Sequence, residues 1–381
     1  MLHRRSALLL GTAFATASAL PTHAADDIVI INNVELSGTG VTSGSQWKMG
    51  VDLAVKEINA SGGILGRKIA ITHQDNQSQP QIAKAVATKG VDAEPYVMLG
   101  PIFSGDVNVS MAVTENAEIP IFIGGEATGL TTQGMKYLFR TSLNQASAMP
   151  KLANFLVKSG IKSMVVVWGA NDFGKGGRDA MVKEMAARSI KLAADISTEP
   201  GQLDFSAVVV NAAKANADAL FAYMNEEESA RFLIALRKLG YDKPIYGETV
   251  LVSQKVIELA GPAANGAKGH VGLSVDAPSP LVQAFGKRFE AAYNQKSDHN
   301  GIKGYTAVYL VKAGTEKIGK FDRKALAAAI HGNSFTAAAT PSLLMDVTFD
   351  AAGDLDRESY LVEIKDGKQT ITEVLPPVGK K

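Results

Sequence analysis

The sequence of 381 residues contains no cysteine, which excludes disulfide bonds, thiol nucleophiles, cysteine zinc sites, iron–sulfur clusters and a lipidated N-terminal cysteine. It also lacks an excess of either charge, since 39 Lys and Arg balance 38 Asp and Glu, so nothing favours nucleic acid as a partner. At 46% hydrophobic residues the chain is too apolar to be disordered. Because one core rarely grows past roughly 250 to 300 residues, the length predicts two lobes.

Long apolar runs are missing beyond the first 20 residues, so the sequence predicts no transmembrane segment. At the N-terminus, His3, Arg4 and Arg5 precede an apolar stretch at residues 6–20, and small residues surround Ala24. This order is typical of a secretory signal peptide at residues 1–24, cleaved after Ala24. We expect a periplasmic product of a two-membrane bacterium. The general and the twin-arginine export routes both stay open.

Apolar strands and amphipathic helices alternate along the mature chain in two series. The first series spans residues 27–123 and the second spans residues 163–246. Alternation of this kind predicts two α/β units, each a parallel sheet covered by helices on both faces. The polar segment 139–148 between them is expected to cross from one sheet to the other. Three helices and two strand-like segments follow, at residues 280–294, 304–317, 322–330, 344–349 and 360–372.

Doubly wound sheets bind ligands beyond the carboxyl ends of their strands, so the loops at those ends are candidates for a site. Four such loops combine glycine with hydroxyl or acidic side chains, at residues 36–44, 100–105, 124–129 and 169–176. For any one loop alone, a turn that needs glycine and a helix that needs an N-cap are the simpler explanation.

Enzyme signatures are incomplete. Residues 169–176 nearly match a phosphate-binding loop, but Gly176 stands where a Ser or Thr would hold magnesium. Residues 36–44 resemble a dinucleotide-binding loop, with Ser43 in place of the third glycine. The sequence therefore predicts no catalytic residue, no metal site and no cofactor, although a triad assembled from distant positions stays open. The histidines of the mature chain are widely scattered, at His73, His270, His299 and His331.

Residues 34–66 contain a strand, a Ser-Gly loop, an amphipathic helix and the sequence INASGGILG. This segment resembles the opening of the leucine/isoleucine/valine-binding proteins. Further motifs follow in the order known from that family, and together they cover essentially the whole mature chain. They read GPIFSG, GGEAT, YLFRT, NDFGKG, DFSAVV and PIYGE.

The resemblance implies a type I periplasmic binding protein fold, an α/β architecture of two doubly wound parallel-sheet lobes joined by a three-segment hinge. Crossings are expected near residues 141–147, 273–278 and 341–346. The implied lobes comprise residues 25–143 with 277–342, and residues 144–276 with 343–381. Such proteins are solute receptors that feed an ABC permease in the inner membrane, so we expect a monomer that binds a small molecule and catalyses no reaction.

The resemblance also carries over site residues. Ser104 matches the serine that meets the ligand carboxylate, and it begins a predicted helix whose N-terminus would attract an anion. Ala127 and Thr128 match the loop that holds both ends of an amino-acid backbone. Phe173 matches an aromatic residue that closes over the ligand, and Asn225 and Glu226 match further contact positions. Glu248 matches the acid that pairs with the ligand ammonium, but a shift of the alignment by one residue would place Thr249 at that position.

Two departures from the family concern the ligand. Ser43 stands where the branched-chain receptors have a large aromatic side chain at the lip of the cleft, and Glu126 replaces a small residue. A wider or differently charged pocket is therefore expected. An aliphatic amino acid, branched-chain first, is the predicted ligand, bound by hinge closure; aromatic carboxylates and small amides or urea are alternatives. A periplasmic hydrolase and a ligand-sensing subunit are the alternatives of another class.

Overall fold

The computed structural model describes residues 27–377 and contains two parallel sheets that are wound in the same order. Strands of the first sheet lie in the order second, first, third, fourth, fifth, and all neighbouring pairs are parallel. These strands are β1 (Ile28–Val34), β2 (Ile69–Asp75), β3 (Val97–Leu99), β4 (Ile121–Ile123) and β5 (Leu138–Arg140).

The second sheet repeats this order with the next five strands, which are also parallel. They are β6 (Ser163–Gly169), β7 (Lys191–Thr198), β8 (Ala219–Tyr223), β9 (Ile245–Gly247) and β10 (Lys268–Val271). In both sheets the strand order reverses next to the first strand of the series, and such a reversal leaves a crevice at the carboxyl ends of the strands.

The last five strands are antiparallel to their neighbours. Three short ones, β11 (Ser334–Phe335), β12 (Val347–Phe349) and β13 (Leu355–Asp356), form a small sheet. The hairpin of β14 (Ser359–Lys365) and β15 (Lys368–Leu375) extends the second sheet beyond β10. Asp366 and Gly367 both have positive φ at its tip, as a two-residue hairpin turn of this type requires.

Helices connect the parallel strands and cover the sheets. Their bounds are α1 (Val41–Ala60), α2 (Pro80–Val91), α3 (Ser104–Asn116), α4 (Gln145–Lys158), α5 (Asp172–Ala187), α6 (Ser206–Lys214), α7 (Glu226–Lys238), α8 (Gln254–Ala260), α9 (Pro280–Tyr293), α10 (His299–Ile318) and α11 (Arg323–Ile330). None of the helices within residues 27–377 combines the length and hydropathy of a bilayer span.

Helix α10 is buried along most of its length because it packs closely against α1. Two glycines allow the approach: a Cβ on Gly50 would lie 2.0 Å from the carbonyl oxygen of Gly301, and one on Gly304 would lie 2.3 Å from that of Trp47. This contact ties α10 to the first sheet, although about 180 residues separate it from the loops that follow β4. We call the part built on the first sheet lobe 1 and the part built on the second sheet lobe 2.

The predicted α/β class with two doubly wound sheets is confirmed by this topology. The loops predicted at residues 36–44 and 169–176 are shorter than expected, because α1 begins at Val41 and α5 begins at Asp172. Glycine lowers helix propensity, but Gly174 is needed there because a Cβ would lie 1.9 Å from the carbonyl oxygen of Gly169. The elements that were not predicted from the sequence are short: β5, α8, β10, β11 and β13.

The predicted division into lobes stays a prediction, but the contacts favour a later third crossing. Phe349 in β12 packs edge-on against Phe139 of the first sheet, with ring centroids 6.1 Å apart. In addition, the backbone N–H of Arg140 donates to the carbonyl of Gly353. Lobe 2 begins again with β14. We therefore propose that the third crossing lies at Arg357, rather than at residues 341–346.

Candidate functional site

A small cavity of about 30 Å³ lies where the carboxyl ends of the two sheets face each other. Lobe 1 contributes the loops after β1, β3 and β4, and lobe 2 contributes the loops after β6, β8 and β9. The first turn of α10 forms part of the wall. Lining residues are Ser43, Ile102, Phe103, Ser104, Gly124, Glu126, Phe173, Asn225, Glu226, Val250, His299, Asn300 and Lys303.

The lobes touch at the outer lip of this cavity, so the cleft is closed. Thr42 Oγ1 donates to Glu227 Oε1 over 2.6 Å, and Ser43 Oγ donates to Glu226 Oε1 over 2.9 Å. Both hydroxyls lie in the first turn of α1 in lobe 1, whereas both acids begin α7 in lobe 2. These hydrogen bonds can exist only while the lobes are together.

Glu226 is an acid held in an unusual state. Burial, followed by the nearby charges of Asp298 and Glu227, raises the pKa of Glu226 to about 7. The carboxyl is therefore partly protonated near neutral pH. A cationic group placed in the cavity would favour its ionised form, so Glu226 can serve as the partner of an ammonium.

Ser104 is placed to donate a hydrogen bond into the cavity. Its Oγ accepts the backbone N–H groups of Glu126 at 3.3 Å and Ala127 at 3.2 Å. Within residues 27–377 its hydroxyl hydrogen finds no acceptor. Since Ser104 also begins α3, unpaired N–H groups of the first helical turn add to the attraction for an anion. Together these donors form a subsite for a carboxylate.

A buried pair of acids lies behind this subsite. The carboxylate of Glu35 accepts the backbone N–H groups of Ile102, at 3.1 and 3.2 Å from its two oxygens, and of Phe103, at 2.9 Å, and so fixes the loop before α3. Burial, followed by the charge of Glu35, raises the pKa of Asp106 to about 8. Asp106 is therefore protonated at neutral pH, which avoids two adjacent buried charges.

Glu126 and Lys303 form an ion pair in the wall of the cavity. A distance of 2.6 Å joins Lys303 Nζ to Glu126 Oε1, and both side chains are buried. Burial raises the pKa of Glu126, while the charge of Lys303 acts in the opposite direction. Glu126 is thus accommodated because α10 supplies a matched cation.

The predicted aromatic position is also in the wall. Phe173 stacks on Tyr223 with ring centroids 4.4 Å apart, and Gln145 Nε2 donates to the Phe173 carbonyl over 2.8 Å and to the Tyr223 hydroxyl over 3.1 Å. Phe103, which the sequence analysis did not single out, is a second aromatic ring lining the cavity. These rings give the central cavity apolar surface beside its charged groups.

Ala127 and Thr128 lie elsewhere than expected. They line an outer groove of about 630 Å³ between the loop after β4 and helices α4 and α5, and they do not line the central cavity. The carbonyl of Ala127 accepts from Arg140 Nη2 over 3.0 Å, which fixes the chain between Glu126 and Thr128. As Glu126 faces the central cavity, its neighbours are turned to the other side.

Glu248 and Thr249 both line a small inner pocket that shares Glu126, His299 and Lys303 with the central cavity. Glu248 Oε2 accepts the backbone N–H of Thr249 over 2.6 Å, and Glu248 Oε1 accepts its hydroxyl over 2.9 Å. His270 Nδ1 lies 3.0 Å from Glu248 Oε1. Glu248 is therefore already well supplied with partners from its own lobe.

The structure thus brings Ser43, Ser104, Phe173, Asn225 and Glu226 into one cavity and places Glu248 in the adjoining pocket. The sequence analysis missed three polar residues of α10, which are His299, Asn300 and Lys303. Burial, followed by the charge of Lys303, lowers the pKa of His299 well below its usual value, so the imidazole is neutral. The one available signal was a run of polar residues that opens an otherwise apolar helix.

Chemically, the arrangement can hold a small solute between hydrogen-bond donors on one lobe and an acid on the other. No group of three or more His, Asp or Glu side chains in the described part of the chain could hold a metal ion. The predicted signal peptide lies outside the described residues.

Comparison with known proteins gives matches over nearly the whole chain. The family model described as "Periplasmic binding protein" matches residues 32–369. The Leu/Ile/Val-binding protein BraC3 of Rhizobium johnstonii is 28% identical over 337 residues, which cover 88% of this chain and 90% of that protein.

Solved structures are similar over the same extent. A solute-binding protein of an ABC transporter from R. palustris, in complex with benzoate, gives a TM-score of 0.85 at 25% identity and covers 93% of this chain and 98% of that one. A second similar structure is LivJ from Streptococcus pneumoniae, the substrate-binding protein of a branched-chain amino acid transporter, in complex with isoleucine. Its TM-score is 0.83 at 24% identity, and the match covers 92% of this chain and 100% of that one. The predicted fold class is confirmed by this likeness.

Proposed function

The chain belongs to the periplasmic binding protein family, whose members bind solutes for ABC importers and are not enzymes, and we propose that this one captures a small carboxylate-bearing solute, with an α-amino acid first. Closure of the two lobes would hold the solute, and a permease in the inner membrane would receive it. A leader cleaved after Ala24 and a monomeric state belong to the same proposal.

One observation carries the carboxylate assignment. The hydroxyl of Ser104 accepts two backbone N–H groups, and its own hydrogen is left to donate into the cavity at the N-terminus of α3. A ligand carboxylate satisfies this donor and the helix terminus at once. Ser104 is therefore the first residue that we assign to ligand binding.

An α-amino acid fits the opposite wall. Glu226 lines the cavity from lobe 2, and its partly protonated carboxyl can ionise when an ammonium approaches. Ile102, Val250 and Phe173 supply apolar surface for a side chain. The names of the relatives, which include a Leu/Ile/Val-binding protein, support an aliphatic amino acid as the first candidate.

An aromatic carboxylate is the second candidate, and a separate observation favours it. Two phenyl rings, those of Phe103 and Phe173, line the cavity, and the similar R. palustris structure contains benzoate. Such a ligand would use the Ser104 subsite but would need no acid for an ammonium. Glu226 therefore separates the two candidates.

A ligand screen tests the proposal. The mature protein is heated with leucine, isoleucine, valine, benzoate or urea, and each sample is also analysed for chemical change of the compound. A true ligand at 100 times its Kd should stabilise the protein by about 2.7 kcal/mol. Stabilisation by urea but by none of the carboxylates would contradict the proposal, as would conversion of a bound compound into a product.

A further inference from the structure

Arg357 lies at the proposed third crossing, and its guanidinium is only partly used. The residue is 3% exposed. Nη1 donates to the carbonyl of Thr141 over 3.4 Å, whereas Nε and Nη2 have no hydrogen-bond partner within residues 27–377. Nε and Nη2 form one edge of the planar guanidinium, so a complete two-donor edge is free.

Arg140, which is equally buried, shows what a structural arginine does in the same region. Its Nε donates to Asp354 Oδ1 over 2.5 Å, Nη1 donates to the Gly125 carbonyl, and Nη2 donates to the Ala127 carbonyl. Every nitrogen of Arg140 is therefore paired within the chain. Arg357 differs because no carboxylate of the described residues lies within 4.0 Å of it.

Arg357 lines the inner pocket of about 10 Å³ that adjoins the central cavity. Arg357 shares this pocket with Ser142, Thr249 and Glu248, and with the ion pair of Glu126 and Lys303 that also lines the central cavity. Glu126, His299 and Lys303 line both spaces, so a ligand held at Ser104 that extends past these side chains would meet Arg357.

We propose that the Nε–Nη2 edge of Arg357 is a second subsite, next to the central cavity, which donates hydrogen bonds to a second carboxylate or a carboxamide of the ligand, distant from the carboxylate held by Ser104. A guanidinium edge matches a carboxylate with two parallel hydrogen bonds, which gives both affinity and directional specificity. This inference rests on the proposed binding of an α-amino acid, and it favours an acidic or amide side chain over the aliphatic side chain that the names of the relatives support.

The cost of burying the guanidinium supports the assignment. Burial lowers the pKa of Arg357 to about 10, although Tyr360, Glu126 and Asp356 act in the opposite direction. A cation that is buried without a partner destabilises a fold, and removing it can be neutral or stabilising. Arg357 therefore contributes more to a bound anion than to the stability of the chain.

Matched ligands test the subsite. Affinities of glutamate and glutamine are compared with that of norvaline, which lacks the terminal oxygens, in the wild type and in Arg357→Met. We expect the wild type to prefer glutamate or glutamine roughly 10- to 100-fold, as charge-assisted hydrogen bonds allow. Arg357→Met should abolish this preference and leave the norvaline affinity within about threefold. Arg357→Lys, which keeps the charge and loses the fork, should restore only part of it.

The outcomes separate the two proposals. If the ligand is an aromatic acid, the affinity of terephthalate, which has a second carboxylate, is compared with that of benzoate in the same two proteins. The subsite alone is contradicted if the wild type binds both compounds of a pair with equal affinity, or if Arg357→Met keeps the preference for the compound with the additional oxygens. Binding of no compound of either series contradicts both the subsite and the carboxylate assignment. Urea unfolding of Arg357→Met without ligand should show unchanged or higher stability, and a clear loss would make Arg357 a structural residue instead.

Discussion

The outer lip and the inner wall of the cleft use polar groups in opposite ways. At the lip, hydroxyls of Thr42 and Ser43 in lobe 1 donate to acids of lobe 2, so these contacts form only on closure. In the inner wall, Glu126 and Lys303 belong to the same lobe, and their ion pair does not depend on closure. The lip should therefore control the motion of the lobes, and the inner wall should control stability and ligand choice.

The largest effect should come from breaking the inner ion pair. Lys303→Met leaves Glu126 buried without a cation, and we expect a loss of about 3–5 kcal/mol in the free energy of unfolding. Urea unfolding without ligand measures it. The matched control is Lys317→Met, which removes an exposed lysine from the far end of α10 and should change stability by less than about 1 kcal/mol. Equal losses in the two variants would refute the special role of the inner pair.

The ligand subsite should show a smaller effect, which is measured on affinity. Ser104→Ala removes the hydroxyl that donates to the ligand, and also the acceptor of the Glu126 and Ala127 N–H groups, and we expect the affinity of a carboxylate ligand to fall by about 1.5–3 kcal/mol. Titration calorimetry measures the change. Ser110→Ala, a buried serine farther along α3, is the control and should bind with nearly wild-type affinity. Unchanged affinity in Ser104→Ala would remove Ser104 from the site.

The lip should show an effect that depends on pH. The pKa of Glu226 in the closed form, about 7, lies above its ordinary value of 4.5, so the folded protein favours the protonated acid. This contribution to stability is fully present below pH 4.5 and is lost as the pH rises through 7. With a bound ligand that closes the lobes but carries no ammonium, such as benzoate, we expect the protein to lose stability between pH 5 and pH 8, and Glu226→Gln to lose less. Parallel curves for the two proteins would contradict the assignment.

The same acid should report on the ligand. An ammonium near Glu226 favours the ionised carboxyl, so binding of an amino acid near pH 7 should release protons, whereas binding of benzoate should not. Calorimetry in two buffers with different ionisation enthalpies measures the release. Proton release on benzoate binding would show that it does not originate from an ammonium contact.

The smallest effect should come from single hydroxyls at the lip. Thr42→Val removes one interlobe hydrogen bond, and we expect closure, and with it ligand affinity, to weaken by about 0.5–1.5 kcal/mol. The control is Ser45→Ala on the same helix, because Ser45 makes no hydrogen bond across the lip within the described residues 27–377. Unfolding stability of the two variants should differ little, and a large difference would mean that Thr42 supports the fold.

The lip and the inner wall also differ in how far the sequence predicted them. Strand and helix periodicity gave the two sheets, and the family motifs led to Ser43, Ser104 and Glu226, each of which lies in the first turn of the helix after a strand. Lys303 could not be found in this way, because it is 177 residues away from Glu126 along the chain and meets it only through the contact of α10 with α1. Arg357 is similarly distant from Thr141.

The position of Ala127 and Thr128 outside the central cavity has a local cause. Motif matching identifies the loop that faces a cleft, but it does not tell which residues of the loop point inward. Here Glu126 occupies the inward position, since its partner Lys303 is inside, and the donors of Arg140 fix the carbonyls on either side. The ion pair of Glu126 with Lys303 therefore explains why Ala127 and Thr128 face the outer groove.

Small-angle X-ray scattering tests most directly whether the two lobes trap a solute. The mature protein is measured alone and with a saturating amount of a compound that stabilises it in the thermal screen. We expect a smaller radius of gyration with the compound, and a reduced change in Thr42→Val. An identical radius of gyration with and without the bound compound would contradict it.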